Sequence, residues 1–179
     1  MKTEDGRRKS EIGRLAYVAL GSNLGNSIQL IQRAIKRLQQ LANAALLKSS
    51  LWRTAPVDCP PGSPVFVNAV VGLAPAPGET AESLFAKLQG IEQEFGRKPK
   101  TVLNEPRTLD LDLISFGNEI RATPELTLPH PRTHLRRFVL QPLGEIAPSL
   151  ILPGQARTVA ELLRGLPPDK TIRRLSQNP

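Results

Sequence analysis

The chain has 179 residues, a length typical of one globular domain, and 24 Lys and Arg against 16 Asp and Glu give it a formal charge of +8. This basic excess favours an anionic partner such as a nucleotide or a nucleic acid. Cys59 is the only cysteine, which excludes an intrachain disulfide and indicates a cytoplasmic protein. No apolar run approaches the ~18 residues of a membrane span. The polar residues 1–13 lack the apolar stretch of a signal peptide, and we expect them to be a disordered tail.

The pattern of apolar residues in the first third of the chain predicts a strand, a helix and a second strand. Residues 15–20 are nearly all apolar, which is typical of a central strand. Apolar residues then recur at helical spacing through 27–42, with Asn26 or Ser27 as the N-cap. Residues 45–53 can form the second strand.

The middle of the chain predicts a strand, a helix and another strand. Residues 65–73 alternate, which places Phe66, Asn68 and Val70 on one face of a strand. Apolar residues at helical spacing follow in 80–96. The next apolar run, 109–116, predicts a strand that ends in a hairpin turn at Gly117-Asn118.

The loops and the end of the chain complete the predicted fold. We expect a proline-rich loop at 56–64, an irregular charged segment at 97–107, and short helices at 136–146 and 158–165. The order β-α-β-β-α-β predicts an α+β, ferredoxin-like fold with a mainly antiparallel sheet and the long helices on one face. A single domain would cover 14–179.

Two aspartates inside an apolar run are the strongest sign of chemistry. Asp110 and Asp112 would share one face of the predicted strand, about 6.6 Å apart, where like charges repel. A divalent cation relieves this repulsion, and hard carboxylate oxygens favour magnesium, commonly completed by phosphate oxygens. Arg107, just upstream, adds a planar cation that suits phosphate. The alternative for the aspartates is a solvated strand face.

Other candidate residues have ordinary structural explanations beside the functional ones. Phe66 can be a core residue, and Asn68 can bond the backbone, although an amide beside an aromatic ring also suits a heterocycle. His130 can contact phosphate or cap a local turn. A zinc site at His130 and His134 is not expected, because Pro131 separates them and no cysteine is near. The chain has neither a P-loop nor a G-x-G-x-x-G motif.

Several motifs, in chain order, resemble those of the 6-hydroxymethyl-7,8-dihydropterin pyrophosphokinases of folate biosynthesis. The resemblance covers residues 16–148. The most specific string is Pro106-Arg107-Thr108-Leu109-Asp110-Leu111-Asp112. The other matching segments are 17–25, 53–56, 66–69, 91–92, 96–97, 128–132, 138–140 and 142–143.

The resemblance implies transfer of the terminal pyrophosphate of ATP to the pterin hydroxymethyl group, with release of AMP. Asp110 and Asp112 would hold two magnesium ions, and Arg97 and Arg107 would grip the triphosphate as further catalytic residues. The residues implied in ATP binding are Gln89, Glu92, Arg107, Leu113, Thr127, His130 and Arg136. Those implied in pterin binding are Thr54, Ala55, Val57, Phe66, Asn68 and Phe138, with the two aromatic rings sandwiching the pterin.

The resemblance further implies that 57–64 and 97–107 are mobile loops that close over the substrates. This chain departs from the common family pattern at three positions of the second loop. Asn104-Glu105 stands in place of an aromatic-Gly pair, and Pro99 in place of a frequent second arginine. We expect these departures to change how that loop closes over the ligands.

Two other functions of the same fold stay open from the residues. An RNA-binding module would carry exposed aromatics in an RNP-like pattern, which the seven aromatic residues of the chain do not form. A regulator would bind pterin or nucleotide without turnover. We expect an enzyme whose partners are ATP and the dihydropterin, a cytoplasmic monomer that binds neither nucleic acid nor membrane.

Overall fold

The structure, a computed structural model, describes residues 14–98 and 105–176. Its eight strands are β1 Ala16–Ser22, β2 Leu47–Lys48, β3 Trp52–Thr54, β4 Phe66–Leu73, β5 Asp110–Phe116, β6 Arg121–Ala122, β7 Thr127–Leu128 and β8 Arg173–Arg174. Its helices are α1 Ser27–Gln39, α2 Ala81–Glu94, α3 Arg137–Ile146 and α4 Val159–Gly165, with a short 3-10 helix at Thr133–Leu135. The predicted disorder of 1–13 lies outside the described residues.

The main sheet is antiparallel, with the strand order β5-β1-β4-β3-β8, and β2 also pairs with β4. Strand β1 is therefore central, between β4 and β5. The order of the long elements is β-α-β-β-α-β, so the predicted α+β, ferredoxin-like fold is confirmed. None of the helices in the described ranges is long and apolar enough to cross a membrane.

The two long helices, α1 and α2, pack on one face of the sheet as predicted, and the short helices α3 and α4 cover the other face, which the sequence analysis did not predict. One core contains Val18 and Leu20 of β1 with the apolar sides of α1 and α2. The other contains Tyr17 and Ala19 of β1 with α3 and α4. Alternate residues of β1 thus enter different cores, which explains why this strand is apolar on both faces.

Two local predictions were wrong. The strand predicted at 45–53 is divided into β2 and β3 at Ser49 and Ser50. The Ser49 hydroxyl interrupts the pairing there, because it accepts from Val70 N and donates to Ser50 O. The turn at Gly117-Asn118 forms, but it does not close a hairpin on β5. It leads instead into β6, which pairs with β7 in a separate two-stranded sheet. The predicted Asn26 N-cap is confirmed, since its side chain accepts from Gln29 N.

The register of the sheet places Asn68, Asp110 and Asp112 on one face, around the central strand β1. Gly21 of β1 lies opposite Asn68 of β4 on one side and Asp110 of β5 on the other. The next inward-facing residue, Ala19, lies opposite Asp112. Partners across antiparallel strands point to the same face, so Asn68 and both aspartates share the face that α3 covers farther along the sheet.

Candidate active site

A cleft of about 490 Å³ opens where β1, β4 and β5 meet α3 and the C-terminal half of α2. Its floor includes Gly21 at the centre, with Asn68 on one side and Asp110 on the other. Gly21 leaves space above the floor, because a Cβ atom there would lie 3.2 Å from Asn68 Oδ1 and 3.8 Å from the ring of Phe66. The missing side chain therefore leaves a continuous surface across three strands.

The Asp110 carboxylate is held by two arginines from the segments that flank the cleft. Arg97 NH1 lies 2.7 Å from one carboxylate oxygen, and Arg107 NH1 lies 3.0 Å from the other. Both guanidinium groups are mostly buried, which strengthens the attraction relative to a surface pair. The Nε atom of Arg107 is buried without a hydrogen-bond partner among the described residues, so one donor remains for a ligand oxygen.

Glu92 joins the same group of charges from α2. Its carboxylate accepts hydrogen bonds from Arg97 and, at 2.7 Å, from the backbone N–H of Leu111 on β5. Burial of Glu92 raises its pKa from 4.5 to about 7, although Leu111 N–H and Arg97 favour the charged form. A carboxyl group that titrates near neutral pH therefore lies beside Asp110.

Asp112, two residues after Asp110 on β5, faces His130. His130 Nε2 lies 4.0 Å from Asp112 Oδ1. Burial and the neighbouring charge of Asp110 raise the pKa of Asp112 above its usual value. Burial lowers the pKa of His130, so its neutral form is favoured. The extra cost of ionising two adjacent carboxylates is what a bound cation would remove.

The donor set fits a hard divalent cation shared with a ligand, not a cage made by the protein alone. No group of three or more His, Cys, Asp or Glu side chains able to hold a metal occurs within 14–98 and 105–176. Asp110 and Asp112 offer carboxylate oxygens from one strand face. Magnesium commonly takes one or two carboxylates and completes its shell with water and phosphate oxygens, and the two aspartates match that pattern.

Asn68 and Thr54 form a buried polar pair at the opposite side of the floor. Asn68 Nδ2 donates to Thr54 Oγ1 at 2.7 Å, which fixes the orientation of the amide. The amide oxygen then lies above Gly21, in the cleft. An oriented acceptor with a second amide hydrogen beside it suits a ligand edge that carries both a donor and an acceptor.

Two phenylalanine rings line the cleft from different elements. Phe66 begins β4 and Phe138 lies in the first turn of α3. Arg107 lies over the Phe66 ring at 5.9 Å, and Arg136 lies over the Phe138 ring at 5.6 Å. These rings supply flat apolar surface next to cations, an arrangement that suits a planar ligand with polar edges.

The structure brings most of the residues predicted from sequence into this one cleft. Those lining it are Thr54, Ala55, Val57, Phe66, Asn68, Gln89, Glu92, Arg97, Arg107, Asp110, Asp112, His130, Arg136 and Phe138.

Two residues predicted to bind ATP lie elsewhere. The side chain of Leu113 is buried in the core under α1 and α2, because it points to the opposite face from Asp110 and Asp112. Thr127 is exposed on β7 and does not line the cleft. The departures from the family pattern at Pro99 and Asn104 fall outside the described residues.

Sequence reasoning missed several residues that line the cleft. Arg132 follows His130 by two positions, and Asp58, Cys59 and Phe85 also contribute to the lining. The position of Arg132 next to the His130 motif was a usable signal. For Phe85 no such signal existed, because its helical spacing is that of an ordinary core residue.

Comparisons with known proteins agree with this geometry. A model of the 7,8-dihydro-6-hydroxymethylpterin-pyrophosphokinase (HPPK) family matches residues 17–148. The chain is 40% identical over 162 residues to the 2-amino-4-hydroxy-6-hydroxymethyldihydropteridine pyrophosphokinase of Haemophilus influenzae, covering 88% of this chain and 96% of that relative. The protein of the same name from Pseudomonas aeruginosa is 40% identical over 156 residues, covering 84% and 91%.

Solved structures share the fold at much lower identity. A crystal structure described as HPPK-DHPS in complex with substrates gives a TM-score of 0.68 at 12% identity, covering 90% of this chain and 46% of that one. Plasmodium falciparum HPPK-DHPS with pteroate gives 0.64 at 14% identity, covering 84% and 42%. The chain thus spans less than half of those longer proteins, and they support the fold alone. By the family match and its close relatives, the chain belongs to the 7,8-dihydro-6-hydroxymethylpterin-pyrophosphokinase (HPPK) family.

Proposed function

We propose that this chain transfers the terminal pyrophosphoryl group of ATP to the hydroxymethyl group of 6-hydroxymethyl-7,8-dihydropterin and releases AMP, in folate biosynthesis. The family and the names of the relatives support this reaction. The observation that carries it is the row formed by Asn68, Gly21 and Asp110 across the cleft floor. One end of the row offers an oriented amide, and the other offers paired carboxylates and arginines.

The pterin would occupy the end of the cleft that contains Asn68. The amide of Asn68, held by Thr54, would bond the polar edge of the ring, and Phe66 and Phe138 would contact its faces. Ala55 and Val57 line the same end and would complete the pocket. The hydroxymethyl group would then extend over Gly21 toward Asp110.

The triphosphate would lie over β5. Asp110 and Asp112 would hold two magnesium ions, which neutralise charge on the phosphate oxygens when bound. Arg97 and Arg107 lie beside Asp110, and the free Nε donor of Arg107 is suited to a phosphate oxygen. Gln89, Glu92, His130 and Arg136 line the cleft around this end and would contact the nucleotide.

The transfer itself needs no covalent bond to the protein. The hydroxyl oxygen of the pterin attacks the β-phosphorus of ATP, the bond from that phosphorus to the α-phosphate oxygen breaks, and the hydroxyl proton passes to solvent. Positioning and charge stabilisation supply most of the catalysis in such reactions. We infer that the side chains that line the cleft would supply both, with the pterin held at the Asn68 end of the row and the triphosphate at the Asp110 end. The proposal includes a monomer acting in the cytoplasm.

The decisive experiment mixes the protein with magnesium, ATP and 6-hydroxymethyl-7,8-dihydropterin and follows the nucleotide products. We expect AMP, formed only when the pterin is present. ADP as the main product would contradict pyrophosphoryl transfer. Binding of both ligands without any product would favour a regulator, and salt-dependent RNA binding without ATP consumption would favour an RNA-binding module.

A further inference from the structure

Asn23 holds together two segments that both reach the cleft. It follows β1 directly and is only 3% exposed. Its backbone N–H donates to Arg107 O at 3.1 Å, and its side-chain oxygen accepts from Arg107 N at 2.9 Å. Its side-chain nitrogen donates to Pro64 O at 3.3 Å. One buried residue therefore bonds the segment with Arg107 and the end of the proline-rich loop.

The chemistry of these contacts requires an amide. The partner at Arg107 is an N–H, which can only donate, and the partner at Pro64 is a carbonyl, which can only accept. Asparagine presents an acceptor and a donor on one rigid group, so both partners are satisfied and the amide orientation is fixed. Aspartate keeps the acceptor alone, and alanine keeps neither.

The bond to Arg107 fixes the backbone of a residue that is proposed to contact the triphosphate. Asn23 pairs with both the N–H and the C=O of Arg107, as a neighbouring strand would. The anchor is firm because Asn23 continues the central strand β1, and the preceding Ser22 is fully buried and donates to Ser27 Oγ. The Arg107 guanidinium then reaches Asp110 at 3.0 Å from a fixed backbone position.

The bond to Pro64 fixes the proline-rich loop, which lines the end of the cleft proposed to bind the pterin. Pro64 ends the loop that contributes Val57, Asp58 and Cys59 to the cleft. It also precedes Phe66 by two residues, so its position sets where that ring enters β4. The side-chain nitrogen of Asn23 is thus one contact that ties the end of this loop to the residue after the central strand.

We propose that Asn23 is a positioning residue for the reaction: through its acceptor it sets the place of Arg107, and through its donor it sets the place of the loop that ends at Pro64. The assignment rests on the proposed pyrophosphoryl transfer. The acceptor and the donor of this one amide are then expected to affect different kinetic constants. Loss of the acceptor lowers kcat, and loss of the donor raises the KM for the pterin.

A double-substitution cycle tests the first effect. We expect Asn23→Ala to lower kcat by about 10²-fold, the usual scale for misplacing a catalytic group by about 1 Å. In a background of Arg107→Ala, the same substitution lowers kcat by no more than about twofold, because the group it positions is gone. If the loss of kcat in the double variant equalled the product of the losses in the two single variants, Asn23 would act independently of Arg107, and the assignment would be overturned.

A second variant separates the two contacts. Asn23→Asp keeps an oxygen for the Arg107 N–H and loses the donor to Pro64. We expect its KM for the pterin to rise about tenfold, the equivalent of one lost hydrogen bond, with kcat within about threefold of the parental value. Equal kcat losses in Asn23→Asp and Asn23→Ala would refute the role of the acceptor.

The matched control is Ser49→Ala, which removes a buried hydroxyl that, like the Asn23 amide, bonds the backbone at two points, Val70 N and Ser50 O, but lies outside the cleft lining. It lowers the melting temperature but leaves kcat and both KM values unchanged. Hydrogen exchange of the Arg107 amide in the ligand-free protein gives a readout that needs no turnover. Faster exchange in Asn23→Ala supports the anchor even if the parental protein forms no AMP, whereas unchanged exchange overturns it.

Discussion

The Glu92 carboxylate of α2 accepts a hydrogen bond from the backbone N–H of Leu111, 2.7 Å away, between the two aspartates of β5. Strand β5 is at the edge of the main sheet, so this N–H faces away from β1 and would otherwise have no strand partner there. The side chain thus ties the helix to the strand that carries the phosphate site. It does so with a carboxyl whose pKa burial raises to about 7.

Glu92→Gln tests this raised pKa. A carboxyl with a folded pKa of about 7 and an ordinary value of 4.5 stabilises the protein fully below pH 4.5, and this contribution is lost as pH rises through 7. Glutamine keeps the acceptor for Leu111 but does not titrate. We expect the free energy of unfolding of the parental protein to fall relative to the variant by up to about 3 kcal/mol between pH 4.5 and 8. Denaturant titrations at several pH values measure it, and parallel curves for the two proteins would contradict it.

Asp112→Asn tests the metal assignment. Because one of the two cation ligands is lost, we expect AMP formation to fall by at least ~10²-fold, and added magnesium to restore little of it. Folding should not suffer. The pKa of Asp112 is raised by burial and by Asp110, so the neutral amide relieves a cost that grows as pH rises.

The measurements for Asp112→Asn are initial rates over a magnesium series and the melting temperature at pH 6 and 8. Treatment with a chelator should abolish the parental activity, and magnesium should restore it. A near-parental rate in Asp112→Asn would show that the aspartate holds no cation. A melting temperature far below the parental value would show instead that the substitution damages the fold.

Thr54→Val tests whether the orientation of Asn68 matters for the pterin. Valine has nearly the shape of threonine but cannot accept the 2.7 Å hydrogen bond from Asn68 Nδ2. We expect the KM for the pterin to rise about tenfold, while the Kd for an ATP analogue changes little. Thr54→Ser, which retains the hydroxyl, is the matched control and should bind the pterin as the parental protein does. Equal weakening of both ligands in Thr54→Val would contradict the prediction.

Phe66→Leu tests the stacking surface. Leucine preserves apolar volume but removes the flat ring that lines the cleft under Arg107. Stacking of aromatic groups contributes about 0.5–1.5 kcal/mol beyond buried area, so we expect pterin affinity to fall by about three- to tenfold. Phe66→Tyr retains the ring and should differ from the parental protein by less than about twofold. Isothermal titration with the pterin distinguishes the variants, and identical affinities would exclude stacking on Phe66.

The order of the main elements follows from local pattern. The helical spacing in α1 and α2 and the alternation in β4 depend only on neighbours in sequence, so their positions could be predicted. The coverage of both sheet faces was overlooked, although the apolar residues of β1 on both faces pointed to it. The break between β2 and β3 could not be predicted, because it depends on hydrogen bonds from Ser49 to the distant Val70.

In the site as well, features set by neighbours in sequence could be predicted, and those set by distant contacts could not. Asp110 and Asp112 stand in one short motif, so their shared face follows from strand periodicity alone. The contact of Glu92 with Leu111 joins residues of a helix and a strand, and no spacing in the sequence encodes it. The family resemblance named Glu92 but gave no physical reason for it. The packing of α2 against β5 provides that reason.

The glycine at the centre of the cleft floor gives the site a fixed length. Asn68, Gly21 and Asp110 lie on three adjacent strands, so the two outer residues are two interstrand spacings apart, about 10 Å. This distance is set by the backbone pairing of β1 with β4 on one side and with β5 on the other, which is regular around Gly21. Loops around the cleft can therefore differ widely between related chains without altering the span between acceptor and phosphates.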